Sequence, residues 1–162
     1  MAASGTITKA IRTGYQMRIS WSATQSIANN TSSVTAKVQL VSTGSSYTIN
    51  SSATKNGTLT VNGTKYSFTF SAALSGNQTK TLYTKTVTVA HNADGSKTCV
   101  LASTIGIKVT LGGTYYGDVT ASGDGALDTI PRATTPTLSA STVNMGSSIT
   151  INTPRASSAF DH

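Results

Sequence analysis

Residues 97–111 read KTCVLASTIGIKVTL, with an apolar residue at nearly every second position. The apolar residues that share one parity are Cys99, Leu101, Ile105, Ile107, Val109 and Leu111. Because successive side chains of a β-strand point to opposite faces of a sheet, this spacing places the whole set on one face. The stretch therefore predicts a long strand with one buried face.

Similar alternation occurs on both sides of this stretch, in residues 15–21, 34–40, 59–70 and 83–89. Asn62-Gly63 interrupts one run, and Asn-Gly between alternating runs is typical of a type I′ hairpin, whose central residues both need positive φ. Asp94-Gly95 indicates another turn. A weak helical pattern at residues 71–78 contains Ser75-Gly76-Asn77, which favours a loop.

Closely spaced strands and turns without a convincing helix predict an all-β fold, an antiparallel β-sandwich of the jelly-roll or immunoglobulin-like kind. The inward parity of these runs gives a set of candidate core residues. They are Tyr15, Met17, Ile19, Trp21, Val34, Val38, Leu40, Phe68, Phe70, Tyr83, Val87, Val89, Leu101, Ile105, Ile107 and Val109.

Proline placement predicts the domain boundary. We expect a β-sandwich over residues 1–132 and a proline-containing linker over residues 133–136. Residues 137–162 alternate again through Val143, Met145, Ile149 and Ile151, with a turn at Gly146. They are too short for a sandwich of their own. We expect either the first strands of a second β domain, in a chain that looks cut short, or a packed C-terminal hairpin.

The chain is basic, with 12 Lys and Arg against five acidic residues, all of them Asp, and a net charge of +7. One interpretation is attraction to an anionic partner, such as nucleic acid or a cell-wall polymer. The other, which we favour, is that dispersed Lys residues keep a β-rich surface soluble and blunt its edges. No basic run or basic-aromatic interleaving appears, so nucleic acid is not the expected partner.

Cys99 is the only cysteine, which excludes an intrachain disulfide. Its apolar parity favours a buried thiol over a nucleophile. The first residues lack a charged leader followed by an apolar segment, and no stretch is apolar enough to cross a bilayer. We therefore expect a soluble protein made in a reducing cytoplasm, with no membrane association.

Three segments carry a resemblance to a known family: residues 22–34 (SATQSIANNTSSV), 91–97 (HNADGSK) and 127–133 (LDTIPRA). Together they resemble minor structural proteins of the tail or baseplate of siphophages that infect Gram-positive bacteria, a family long described only as of unknown function. Residues 157–162 (SSAFDH) are similar to the opening of the next domain in those proteins.

The resemblance implies a virion protein of the tail tip, baseplate or host-adhesion device, made in the host bacterial cytoplasm. Its partners would be other phage tail proteins and copies of itself in a homo-oligomer. The alternative role is that the module itself binds a host cell-wall polysaccharide or teichoic acid. The resemblance assigns no catalytic or binding residue.

Ionisable residues do not predict catalysis or a cofactor. Asp118, Asp124 and Asp128 are interleaved with glycines, which favours turn chemistry over an oxygen-ligand cation site. His91 opens a turn with Asn92 and Asp94 and has no nucleophile motif beside it, so we interpret it as part of a hydrogen-bonded turn. We expect no catalytic residue, no metal ligand and no enzyme activity.

Tyrosines are the remaining candidates for a binding role. Tyr115 and Tyr116 follow Gly112-Gly113, and Tyr47 lies in a polar stretch, so their rings are candidates for stacking against a glycan. The alternative is that one tyrosine of each group packs in the core, since adjacent strand residues face opposite sides. Trp21 is on the buried parity and is expected in the core.

Overall fold

The computed structural model describes residues 2–133, 137–138, 146 and 150–152, and this part of the chain contains strands and turns but no helix. The strands are β1 (Ala2–Arg12), β2 (Tyr15–Ser26), β3 (Thr31–Ser42), β4 (Thr54–Val61), β5 (Thr64–Ser71), β6 (Thr79–Ala90), β7 (Thr98–Leu111), β8 (Thr114–Ala126), β9 (Thr137–Leu138) and β10 (Ile151–Asn152).

The first eight strands form two antiparallel four-stranded sheets that share one core. Sheet 1 has the order β1-β2-β3-β6 and sheet 2 the order β5-β4-β7-β8. Tight hairpins join β1 to β2, β2 to β3, β4 to β5 and β7 to β8, whereas the chain crosses between the sheets after β3, β5 and β6. This architecture confirms the predicted all-β sandwich.

The core lies between the two inner sheet faces, as the alternation requires. Met17, Ile19 and Leu40 of sheet 1 face Leu59 and Leu101 of sheet 2, and all five are fully buried. Burial of one such side chain stabilises the fold by about 1.5–3 kcal/mol. The predicted core is confirmed, except that Tyr83 and Val87 are only partly buried against it, because both lie on the edge strand β6.

Two hairpin turns have the backbone that their sequences predict or permit. Asn62 and Gly63 have φ of 48° and 86°, which confirms the predicted left-handed pair between β4 and β5. Gly112 and Gly113 have φ of 54° and 83° and join β7 to β8 in the same way. Long strands can therefore reverse in two residues without splaying.

Strand β1 has no counterpart among the predicted strands. It pairs with β2 along nearly its whole length, with Gly5 opposite Trp21. A Cβ atom on Gly5 would lie 2.9 Å from Trp21 Nε1, and one on Gly125 of β8 would lie 3.0 Å from Trp21 Cε2. The indole therefore fits at this side of the sandwich because both neighbouring strands carry a glycine beside it.

The other side of the sandwich, between β5 and β6, is closed by aromatic and lysine contacts. The rings of Phe68 and Tyr83 stack with centroids 4.6 Å apart, and Lys85 Nζ lies 4.7 Å from the centroid of the Tyr66 ring. Lys80 Nζ donates to the backbone carbonyl oxygens of Ser71, at the end of β5, and of Ala73, in the β5–β6 connection. Lysines that point inward at a sheet edge discourage pairing with another strand.

The C-terminal prediction is only partly within the described residues. The chain is in irregular structure at residues 131–133, and β9 pairs antiparallel with β10, with Leu138 opposite Ile151. Most of the predicted linker, together with Val143, Met145 and Ile149, lies outside the described residues. The boundary between a sandwich and a second unit stays a prediction.

Candidate functional site

The three candidate tyrosines have different environments. Tyr115 points away from the core and is 64% exposed, whereas its neighbour Tyr116 packs against the core. Tyr47 is half-buried: its ring makes an edge contact with Tyr15 at 5.5 Å and covers Gly14. Of the three, Tyr115 alone offers most of its ring to a ligand.

The outer face of sheet 2 carries a groove of about 500 Å³. Its wall residues belong to β4, β5, β7 and β8, and most of them are polar. Those that bear on the chemistry of the groove are Asn56, Thr58, Thr104, Gly106, Lys108 and Asp118. None of these was a sequence-predicted ligand-binding residue.

Gly106 is one of the residues that line the groove, and atoms of its neighbours lie close above it. A Cβ atom at this position would lie 3.1 Å from Asp118 Oδ1, 3.4 Å from the carbonyl oxygen of Asn56 and 3.5 Å from Lys108 Cε. The three polar residues therefore surround one point on the sheet. A glycine inside a strand pattern indicates a close approach or a bulge, and that signal could have located this groove.

A bulge in β7 brings Lys108 to the groove. The pairing of β7 with β8 shifts register between Gly106 and Val109, and Lys108 has a φ of 45°. A left-handed backbone is uncommon for a residue of this type and costs roughly 1–2 kcal/mol. The strand then continues with Thr110 opposite Tyr115.

None of the three clustered aspartates lies in a turn, so this prediction is wrong; Asp128 lies in irregular structure after β8. Asp118 and Asp124 lie within β8 and are exposed on the outer face. The glycines nearby serve packing instead: a Cβ on Gly123 would lie 3.2 Å from the side chain of Ile7, and Gly125 accommodates Trp21. Among the described residues, no group of three His, Cys or acidic side chains is placed to hold a metal ion.

His91 is a buried part of a turn, as predicted. Its Nδ1 lies 2.7 Å from the carbonyl oxygen of Gly95, which can only accept, so Nδ1 is the donor. Its Nε2 lies 2.8 Å from the Ser32 hydroxyl. Asp94 accepts hydrogen bonds from both the backbone N–H and the hydroxyl of Ser96, and these bonds lower the pKa of Asp94.

Asn92 also closes this turn: its side-chain amide donates to the Ser96 hydroxyl, and its backbone carbonyl accepts from the N–H of Gly95. The turn is thus closed by side chains and backbone together.

The three segments that carry the family resemblance meet at this end of the sandwich, in a cluster that we call the joint. Asn30 Nδ2 donates to the carbonyl oxygen of Asn92 at 2.9 Å, and Gln25 Nε2 donates to that of Asp128 at 2.6 Å. The backbone N–H of Ile130 donates to Gly95 O. Within the described residues, Asn30 Oδ1 is buried without a hydrogen-bond partner.

Cys99 is fully buried, which confirms the predicted structural thiol. Burial raises the pKa of this thiol, because an ionised sulfur would lose its hydration. A protonated, inaccessible thiol is a poor nucleophile.

These features define an all-β sandwich protein whose described surface combines a polar groove, an exposed tyrosine and a hydrogen-bonded joint. The chain matches the family described as "Siphovirus protein of unknown function (DUF859)" over residues 11–162 and belongs to that family. Siphoviruses are bacteriophages, so membership of this family indicates a phage protein and a component of the virion. No curated protein and no solved structure matches the chain. In the described residues, no helix is long and apolar enough to span a membrane.

Proposed function

We propose that this chain is a structural protein of the siphovirus tail tip, baseplate or host-adhesion device. Its sandwich docks on other tail proteins and presents the residues that follow it toward the host. It acts by assembly and attachment and carries out no catalysis. Family membership supports the virion role, and the joint supports the presenting role.

The observation that carries this proposal is the fixed exit of the chain from the sandwich. Ile130 is fully buried, and its N–H bonds to Gly95. Leu127 is buried as well, and its N–H bonds to the carbonyl oxygen of Lys97. Side chains and backbone together therefore hold residues 127–130 in one orientation, as a structural connector requires.

Docking surfaces are available at the same end of the sandwich. Ile27, in the turn between β2 and β3, is 39% exposed, and Val100, near the start of β7, is 49% exposed. Exposed large apolar residues are candidates for contact with another protein. In a homo-oligomer, symmetry would repeat these contacts, and several weak contacts made together would give a high overall affinity.

Cross-linking mass spectrometry of intact virions tests the proposal. Lys9, Lys37, Lys65 and Lys97 lie on different strands or loops and provide lysine-reactive positions around the sandwich. We expect cross-links from these lysines to tail proteins and to other copies of the chain. Absence of the chain from purified virions, or cross-links to capsid proteins only, would contradict the proposal.

A second candidate function is direct contact between this module and host surface glycans, either a cell-wall polysaccharide or a teichoic acid. The exposure of Tyr115 favours it, because an exposed ring face in a polar surface suits an apolar sugar face. Co-sedimentation with host cell walls tests it. Saturable sedimentation that drops in Tyr115→Ala supports this function, and none at low or moderate salt would exclude it.

A further inference from the structure

We infer that the groove above Gly106 is a binding site for a neutral glycan. This inference rests on the second candidate function, glycan contact by the module itself, and does not depend on where the chain lies in the virion. It names a site, a ligand class and a set of residues: Asn56, Thr104, Gly106, Lys108, Asp118 and Tyr115.

The shape of the groove suits a ligand of a few sugar rings. Its volume of about 500 Å³ falls in the range of roughly 300–1,000 Å³ that is usual for small-molecule sites. Because Gly106 carries no side chain, Asp118 Oδ1 and the Lys108 side chain lie close above the β7 backbone, where a ligand in the groove would meet them.

The polar groups of the groove match the hydrogen-bonding needs of sugar hydroxyls, which both donate and accept. Asn56 brings an amide with both capacities, Asp118 a carboxylate that accepts and Lys108 an ammonium that donates. The Thr104 hydroxyl is held 2.8 Å from that of Thr120 on the next strand. This pair orders the Thr104 hydroxyl on the groove wall before any ligand arrives.

Tyr115 supplies an exposed apolar surface on β8, the strand that carries Asp118. Its Cε1 atom lies 3.7 Å from the place where a Cβ on Gly117 would stand, so the ring lies along β8 beside Gly117, the residue before Asp118. Most of the ring remains exposed. A ring of this kind can cover the C–H face of a sugar whose hydroxyls bond to the groove.

Charge in the groove favours a neutral ligand over a polyanion. Lys108 and Asp118 bring one positive and one negative charge, and both line the same groove. A teichoic acid would meet the Asp118 carboxylate and gain little from the net charge of +7, whose basic residues are spread along the chain. Binding of an anionic polymer here would therefore contradict the inference.

The test is a ¹⁵N–¹H NMR titration of the full 162-residue chain with four neutral oligosaccharide probes, built from glucose, galactose, N-acetylglucosamine or rhamnose. A short poly(glycerol phosphate) serves as the anionic probe. We expect at least one neutral probe to give saturable shifts at the amides of Gly57, Gly106 and Asp118. No saturable shift there with any neutral probe, or shifts with the anionic probe alone, would overturn the inference.

Two variants locate the binding. Gly106→Ala places a methyl group 3.1 Å from Asp118 Oδ1 on the groove wall, and because the φ of Gly106 is outside the left-handed region, the change adds no left-handed backbone strain. We expect at least tenfold weaker binding. Asp118→Asn removes the carboxylate and is expected to weaken binding severalfold, whereas Asp124→Asn, on the same strand and face but outside the groove, leaves it unchanged. Equal effects of the two Asp variants would contradict the assignment.

The outcomes separate this inference from the proposed assembly role. A chain that cross-links to tail proteins but gives no groove shifts retains the structural function and loses the glycan site. A chain that gives the shifts but is absent from virions retains the site and loses the structural function.

Discussion

The backbone N–H of Ile130 donates a hydrogen bond of 2.9 Å to the carbonyl oxygen of Gly95. The same oxygen accepts from Nδ1 of His91, so one carbonyl joins the turn after β6 to the segment that leaves the sandwich. Gly95 has a φ of 81°, and a Cβ there would collide with Ile130 O. Glycine is therefore required at this position for two separate reasons, backbone conformation and space.

Gly95→Ala is expected to destabilise the protein more than Gly63→Ala. Both glycines have a left-handed φ, so each variant pays about 1–2 kcal/mol of backbone strain. A Cβ on Gly63 meets no atom within 4 Å, whereas one on Gly95 meets the backbone of Ile130. Urea denaturation measures the difference. Equal unfolding midpoints for the two variants would show that Ile130 is not packed on Gly95.

His91→Ala is expected to lower the free energy of unfolding by about 1–3 kcal/mol, the usual effect of leaving a buried polar group without its partner. It removes the hydrogen bonds to Ser32 and Gly95. Thr88→Ala, an exposed change on β6, is the control. Amide hydrogen exchange at Ile130 should also accelerate in the His91 variant. Unchanged exchange at the Ile130 amide would mean that the turn does not stabilise residues 127–130.

Gly125→Ala is expected to shift the fluorescence of Trp21, the only tryptophan, and to destabilise the fold, since its Cβ would lie 3.0 Å from the indole. In a Trp21→Phe background the smaller ring leaves space, and the cost of Gly125→Ala should fall. A double-mutant cycle by urea denaturation gives the coupling. Additive effects would contradict direct packing of the two residues.

The buried thiol of Cys99 predicts a loss of stability at alkaline pH. Its pKa is raised above the ordinary value of 9.0 in the folded state. The stability that the protonated thiol contributes to the folded state is therefore fully present below pH 9, and it is lost as the pH rises through the folded-state pKa. Wild type should lose more unfolding free energy than Cys99→Ala between pH 8 and pH 10. Parallel losses, or fast alkylation of the native thiol, would contradict this.

Asp94 predicts the opposite dependence at acid pH. The hydroxyl and backbone N–H of Ser96 lower its pKa below the ordinary 3.8. Stability from the ionised carboxylate is therefore present above pH 3.8 and is lost as the pH falls through the lowered value. An NMR titration should give Asp94 a higher pKa in Ser96→Ala than in wild type. The same pKa in both would remove Ser96 as the cause.

Most of the fold could be predicted from the sequence because its strands are long and half-buried. In β2, the alternation of Met17, Ile19 and Trp21 identifies the inner face of the strand. Asn62-Gly63 identifies the hairpin between β4 and β5. Strand β1 was missed since small or polar residues occupy many of its inner positions. Gly5, which leaves room for an indole from the next strand, looks like a break in the alternation rather than a part of it.

The groove could not be predicted because its residues converge from separate strands. Asn56 and Asp118 are 62 positions apart in the sequence and become neighbours only across the pairing of β4 with β7 and of β7 with β8. Alternation does identify Tyr115 and Tyr116 as facing opposite ways, but not which of them faces out. The bulge between Gly106 and Val109 determines which one faces out. It shifts the register so that Tyr115 pairs with the exposed Thr110 and Tyr116 with the buried Val109.

The assembly role is tested most directly by gold-labelled antibody fragments against the folded chain, imaged on intact siphovirus particles. An immunoblot of the same virions provides the control for the presence of the protein. We expect gold at the end of the tail remote from the capsid, on particles whose blot contains the chain. Gold on the capsid, or virions whose blot lacks the chain, would contradict a structural role in the tail.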